Sequence, residues 1–333
     1  MPSPSGDGSG NSETDMFDEF DLIEKIRRRT DRINRNHPAI LVPPGDDAAL
    51  LSGLSRPVIS TDCQRQDVHF RLDWQTPEEV GFKAVTVALS DLAASFARPV
   101  AVFVNLTLTR QATEAMVMRL YEGLGEALGL YGCGLGGGNL SSGSALALDL
   151  FAVGEGDPML FPLRSAARVG EGLYVTGPLG LARAGLHALE GRRPAPPGLI
   201  QAFKRPKARF DAARILCAHG VRCVMDISDG LAGDARHLAE ASNLSIRFDV
   251  DDHPIGPDLR TYCLDQGLSA RDMMLAGGED YELLFACDES RVDVLYPALP
   301  GMMRVGTCLP FEGVRIINPP ETARSFVHGG SVR

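Results

Sequence analysis

Apolar residues spaced three apart, Phe17, Phe20, Ile23 and Ile26, predict a helix over 17–30. A Pro43-Pro44-Gly45 break follows, and the acids Asp46 and Asp47 stand directly beside it. Val58 and Ile59 lead a short strand over 57–62 to a polar end at Ser60, Thr61 and Asp62, the kind of strand terminus that suits a site. Thr76, Pro77 and Glu79 supply an N-cap, a first-turn proline and a capping-box acid. The helix they start carries Phe82, Val85, Leu89, Leu92 and Phe96 as its apolar stripe, and Asp91 points away from it. A strand over 100–108 and a helix from about 113, with Val117, Leu120, Leu124 and Leu128 on one face, come next. The run over 144–153 reads as a strand buried on both faces.

The Gly154-Glu155-Gly156-Asp157-Pro158 cluster is the strongest boundary signal in the chain. Beyond it the pattern predicts strands over 173–176, 222–227, 245–250, 281–287 and 302–308, and helices over 179–190, 207–219 and from 231. Strands and helices mix without a strict βαβ beat, which favours an α+β class over a doubly wound parallel sheet. The division expected is a disordered tail over 1–15, a first domain over 16–156 and a second over 157–333. No repeat of 20–50 residues recurs.

At 333 residues, 44% hydrophobic and 23% charged, the chain is long enough for two cores and has an ordinary globular composition. Its 33 basic against 43 acidic residues give a net charge of −10, the wrong sign for a broad nucleic-acid or anionic-membrane surface. Lys83, Asp91 and Arg98 interrupt the most apolar region, so no membrane span is expected. The Pro/Ser/Gly-rich stretch over 1–15 lacks the apolar segment of a secretory leader. Seven cysteines without a C-x-x-C pair fit reduced thiols and a cytoplasmic location.

Gly132, Gly134 and Gly137 satisfy G-x-G-x-x-G, but they precede a strand-like segment rather than joining a strand to a helix, so a dinucleotide fingerprint is rejected. The run over 134–139 reads either as a tight turn or as a backbone cradle for phosphate. No Walker loop, nucleophile elbow or H-E-x-x-H occurs. What recurs is acids beside turns and strand ends: Asp46-Asp47, Thr61-Asp62, Asp91, Asp226-Ile227-Ser228-Asp229 and Gly277-Gly278-Glu279-Asp280. Each alone reads as a solvated loop acid or a cap. Converged, they would repel by roughly 4 kcal/mol per pair at 4 Å and require cations, and an all-oxygen set selects a hard ion such as Mg²⁺ shared with substrate phosphates.

The segments GDDAAL (45–50), STD (60–62) with HF (69–70), FKAVTVALSDLAA (82–94), GGN (137–139), LRSAARVGEGLYVTG (163–177), RP (205–206), MDISDGLAGDARHLAEAS (225–242) and GGEDYELLF (277–285) resemble, in this order, the thiamine-monophosphate kinase family. That family lies within the aminoimidazole ribonucleotide synthetase-like superfamily. The resemblance spans about 17–328 and implies a two-domain fold of that superfamily, with ATP and metal binding and dimerisation in the first domain. It implies ATP-dependent phosphorylation of thiamine monophosphate to thiamine diphosphate by direct transfer, assisted by several Mg²⁺ ions. By motif position it implies metal contacts at Asp46, Asp47, Ser60, Thr61, Asp62, Asp91, Asn139, Asp226 and Asp229, the last two also catalytic. Gly138, Asn139, Arg164 and Ser228 fall where the family holds ATP, and His69, Glu279 and Phe326 where it holds the thiamine phosphate. Lys83 matches a family lysine and receives no role.

Two departures stand out. Asn139 occupies the place of a family aspartate, which removes a charge from the metal set and predicts a higher Mg²⁺ requirement. Near the C-terminus, Ser325-Phe326-Val327-His328-Gly329 keeps only part of an aromatic-Asp-His-Phe pattern. Two other readings accompany the kinase: an enzyme with this ATP site and a different acceptor, against which GGEDYEL and STD with HF argue, and a non-catalytic paralogue, for which Asn139 is the motive.

Overall fold

The computed structural model describes residues 19–35, 37–45, 47–250 and 255–320. The 1–15 tail, Phe17, Asp46 and Phe326 lie outside the described residues. In the first half α1 (Glu19–Asn34), β1 (Ile40–Val42) and β2 (Leu50–Leu51) precede β3 (Pro57–Arg65), α2 (Pro77–Ala94), β4 (Arg98–Leu108), α3 (Glu114–Tyr131), β5 (Gly134–Ser142) and β6 (Ala147–Glu155). The four long strands form a sheet in the order β3-β6-β4-β5, antiparallel except for the parallel pair β4–β5. α2 and α3 cover its inner face, where Val85, Leu89, Leu92, Val104, Leu124 and Leu150 form a buried core.

The second half contains β7 (Gly172–Val175), α4 (Leu181–Gly191), α5 (Pro197–Lys204), α6 (Phe210–Ala218), β8 (Cys223–Asp226), α7 (Leu231–Ala241), β9 (Leu244–Phe248), α8 (Pro257–Gln266), α9 (Ala270–Ala276), β10 (Leu283–Cys287), α10 (Val292–Ala298) and β11 (Met303–Pro310). Its sheet is antiparallel throughout, in the order β8-β10-β7-β11-β9. The chain is therefore α+β, as its pattern predicted. No helix among the described residues is long and apolar enough to cross a membrane.

Three local expectations are corrected. The buried face of α1 is Leu22, Ile26 and Thr30, whereas Phe20 and Ile23 are exposed. A spacing of three drifts around a helix of 3.6 residues per turn, while a spacing of four holds one face against the core. α2 is buried almost all round, because it lies between the first sheet, α3 and the second half; a stripe analysis sees only one of these neighbours. The glycine run over 134–139 is neither turn nor loop: it is most of edge strand β5. A Cβ on Gly138 would stand 1.9 Å from the Val104 carbonyl oxygen, and one on Gly136 would enter the Phe103 ring at 2.4 Å. Close approach to β4 explains these glycines, and strand propensity hides them.

Candidate active site

A cleft of about 1600 Å³ opens between the end of β3 with the loop behind it, α4, α5, α9 and the loops that follow β8 and α9. Thr61, Asp62, His69, Ser228, Asp229 and Glu279 line it, so six of the sequence-predicted positions share one wall system. Alternation along β3 sends Ser60 and Asp62 towards α2 and leaves Thr61 exposed on the other face. There the Ser60 hydroxyl donates to the Asp91 carboxylate. One residue back on α2, the Ser90 hydroxyl donates to Asp226 Oδ2 at 2.7 Å, at the end of β8. α2 thus ties the acids of the two halves together through adjacent serine and aspartate.

The electrostatics follow from burial. Asp226 is buried, and desolvation with the nearby Asp91 charge raises its carboxyl to about 6, while the Ser90 bond and the Arg164 charge oppose this. Asp62 is also raised to about 6, chiefly by burial, with Asp91 and Glu279 adding repulsion and the Gln64 amide bond opposing it. Arg164 is exposed, in a short turn near Asp226, and its backbone carbonyl accepts from Ser242 at 2.8 Å.

Two loops meet backbone to backbone at the cleft. The Glu279 N–H donates to the Ser228 carbonyl at 2.8 Å and the Tyr281 N–H to that of Ile227 at 2.9 Å. A Cβ on Gly278 would lie 2.6 Å from the Ser228 oxygen, and one on Gly230 2.9 Å from the Ala276 carbonyl carbon. Glu279 and Tyr281 take positive φ values of 67° and 52°, conformations that non-glycine residues adopt only when their surroundings hold them. Sequence reasoning gave no role to the two acids that do this holding. Asp234 accepts from the Ser228 and Asp229 N–H groups at 3.1 and 3.2 Å, and Asp280 accepts from the Gly180 N–H at 2.8 Å at the start of α4. Burial is the main reason each is pushed up to about 8. Their signal was present, since both lie inside the quoted motifs, but a buried acid bonded to backbone looks like any other acid in sequence.

His69 accepts from the Arg65 N–H at Nδ1, at 3.1 Å, which puts the proton of the neutral ring on Nε2. Lys83, which sequence left without a role, has its ammonium 2.8 Å from Glu279 Oε1. Other predicted positions are not gathered. Asp47 is exposed between β1 and β2 and does not line the cleft. Asp62, Leu150, Val104 and Gly138 occupy one row across the sheet, so Gly138 stands three strand spacings, about 14 Å, from Asp62, with Asn139 beside it. Among the described residues, no three His, Cys, Asp or Glu side chains close to metal-binding spacing.

The pairing of this mixed four-stranded sheet with an antiparallel five-stranded one defines the class. Family models described as AIR synthase related protein, N-terminal domain, and AIR synthase related protein, C-terminal domain, match residues 45–156 and 168–296. The thiamine-monophosphate kinase of Aquifex aeolicus is 36% identical over 289 residues, covering 85% of this chain and 92% of its own. The crystal structure of thiamine-monophosphate kinase from Stenotrophomonas maltophilia superposes with a TM-score of 0.79 at 30% identity, over 90% of this chain and 97% of that one. That of AaThiL complexed with AMPPCP and TMP gives 0.74 at 33% identity, over 92% and 95%. The chain belongs to the thiamine-monophosphate kinase family.

Proposed function

We propose that this chain transfers the γ-phosphoryl group of ATP directly to the phosphate of thiamine monophosphate. An acceptor phosphate oxygen forms the new bond to the γ-phosphorus, the bond to the β,γ-bridging oxygen breaks, and thiamine diphosphate and ADP leave. The observation that carries this reading is that Asp62 of the first half and Asp229 and Glu279 of the second line one cleft, while behind it Ser60 bonds Asp91 and Ser90 bonds Asp226 across the two halves. Membership of a family with relatives named for this reaction, one of them solved with AMPPCP and TMP, supports it.

Phosphoryl transfer asks the protein mainly to position two anions and offset their charge. The carboxylates of Asp62, Asp91, Asp226 and Asp229 are the donor type a hard divalent cation takes. Although no three of them stand at ligand spacing here, the mutual repulsion at Asp62, Asp91 and Asp226 fits a partner that brings positive charge and draws them together. These four would hold Mg²⁺, with Ser60, Thr61, Asp46, Asp47 and Asn139 as further family positions. Bound there, Mg²⁺ would supply positive charge to offset the phosphates of donor and acceptor. Ser60 and Ser90 orient the Asp91 and Asp226 carboxylates. Asp234 holds the Ser228 and Asp229 backbone in place. Arg164, Ser228, Gly138 and Asn139 are assigned to ATP, and His69, Glu279 and Phe326 to thiamine monophosphate.

The distance across the sheet supports a homodimer: Gly138 and Asn139 of one chain do not reach its own Asp62, and the outer sheet face exposes Ile59 and Phe151. The acidic surface balance supports small-molecule partners rather than nucleic acid, and unpaired cysteines support a cytoplasmic location. The test is incubation of purified protein with ATP, thiamine monophosphate and a range of Mg²⁺. Thiamine diphosphate forming only when all three are present is expected; none at any Mg²⁺ concentration would refute the proposal.

A further inference from the structure

We infer that Lys83 is a positioning residue for the acceptor: it fixes the Glu279 carboxylate at the wall of the cleft where the organic part of the substrate lies. The inference rests on the function proposed above. Lys83 is 1% exposed, an extreme burial for an ammonium, and that ammonium reaches across to Glu279 and Phe203 of the second half. Its Nζ lies 2.8 Å from Glu279 Oε1 and 3.8 Å from the centroid of the Phe203 ring. The ion pair lies off the hydrogen-bonding angle, so the N–H groups have no well-aligned acceptor among the described residues. Burying a lysine this way is costly unless its charge is needed where it stands.

The placement explains the need. Lys83, Val87 and Ser90 are four and three residues apart on α2 and share a face, with Val87 lining the cleft. One end of this stripe meets Glu279 and the other meets Asp226, about 10 Å further along at 1.5 Å per residue. One helix face therefore spaces the acidic cluster, where phosphates would sit, from the Glu279 wall. Phe203 and Glu279 both line the cleft, and the ammonium lies between them. Glu279 also adds to the repulsion felt by Asp62, and Lys83 is its ion-pair partner among the described residues, so without Lys83 its carboxylate would face like charge. The strained Glu279 backbone fixes the main chain, and Lys83 fixes the side chain.

A purely structural clamp would look different. Lys204 of α5 and Glu79 of α2 also pair across the two halves, at 3.1 Å, and neither lines the cleft, so Lys204→Met is the control for loss of an inter-half ion pair. The experiment measures kinetics with both substrates and the calorimetric Kd for thiamine monophosphate in wild type, K83M, E279Q, K83M/E279Q and K204M. K83M is expected to raise KM and Kd for thiamine monophosphate about tenfold and to keep KM for ATP within about twofold. The double variant should be no weaker than E279Q by more than about twofold, since Lys83 acts through Glu279, and K204M should leave both constants unchanged.

A K83M KM within about twofold of wild type, an equal rise for ATP, losses that multiply in the double variant, or an equal effect of K204M would overturn the inference. Should K83M not fold, K83R keeps the charge: a KM for thiamine monophosphate within about threefold supports the inference, and a tenfold rise overturns it. Wild type that binds thiamine monophosphate without turnover refutes the proposed reaction, while the Kd ratios still decide the role of Lys83. Wild type that does not bind it overturns both.

Discussion

Asp62→Asn separates the stability of the acid cluster from its use. Burial raises this carboxyl from 3.8 to about 6, a difference of roughly two units at 1.36 kcal/mol each. The upper bound is about 3 kcal/mol of destabilisation at neutral pH, and partial solvent access lowers the expected value to about 1–2 kcal/mol. Asparagine removes the charge and keeps an oxygen that can accept from the Gln64 amide, which lies 3.3 Å away. The sign is fixed by linkage. Because the folded value lies above the unfolded one, the folded state binds more protons between about pH 4 and pH 6, and wild-type stability falls as pH rises through that window. D62N should therefore be the more stable protein at pH 7.5 in chelator, and its advantage should fade towards pH 4.5. Urea unfolding followed by fluorescence of Trp74, the one tryptophan of the sequence and part of the cleft wall, measures both midpoints. Added Mg²⁺ should stabilise wild type more than D62N, and turnover by D62N should fall by at least about 100-fold. A D62N protein no more stable than wild type at pH 7.5, or a gap unchanged between the two pH values, would refute the reasoning.

Two further substitutions test other parts of the site, and a third, in α3, is a control. Asn139→Asp restores a carboxylate and should lower the half-saturating Mg²⁺ concentration by about three- to tenfold in a turnover assay, whereas a large gain from near-zero turnover would instead identify a degenerate site. Gly278→Ala drives a Cβ to 2.6 Å from the Ser228 oxygen and should cost about 2–3 kcal/mol by urea unfolding, while Gly129→Ala, a helical position with open space around its Cβ, should be neutral or slightly stabilising.

Much of this molecule was legible in its residues, and the exceptions have physical causes. The Thr76 capping box forms as read, with Glu79 returning a bond to the cap, because capping is local chemistry. The strand carrying Ser60, Thr61 and Asp62 forms but runs on to Arg65, so these three lie inside it rather than at its end, because Cys63, Gln64 and Arg65 also pair with β6. Most strands of the second half form as period and length mark them. β5 was hidden because its glycines answer to the backbone and ring of β4, a long-range constraint. The buried face of α1 was misread because three- and four-residue spacings compete in a short amphipathic segment. In the site, motif order marked Asp62, Asp91, Asp226, Asp229 and Glu279, yet only tertiary structure paired Ser90 with Asp226 and Lys83 with Glu279. Lysine in an apolar helix carries no sign of which distant acid it meets. Asp234, and the holding role of Asp280 among the recurring acids, are hidden for the same reason: their partners are backbone N–H groups, which every residue but proline has.

The acidic cluster is held to bring two phosphates together for direct transfer, and a single-turnover reaction with enzyme in excess over γ-labelled ATP tests this most directly. With Mg²⁺ and thiamine monophosphate present, label should pass into thiamine diphosphate at the rate at which ATP disappears, with none accumulating on the protein or as free phosphate. Label that first collects on the protein, or that is released as phosphate while no thiamine diphosphate forms, would contradict the account.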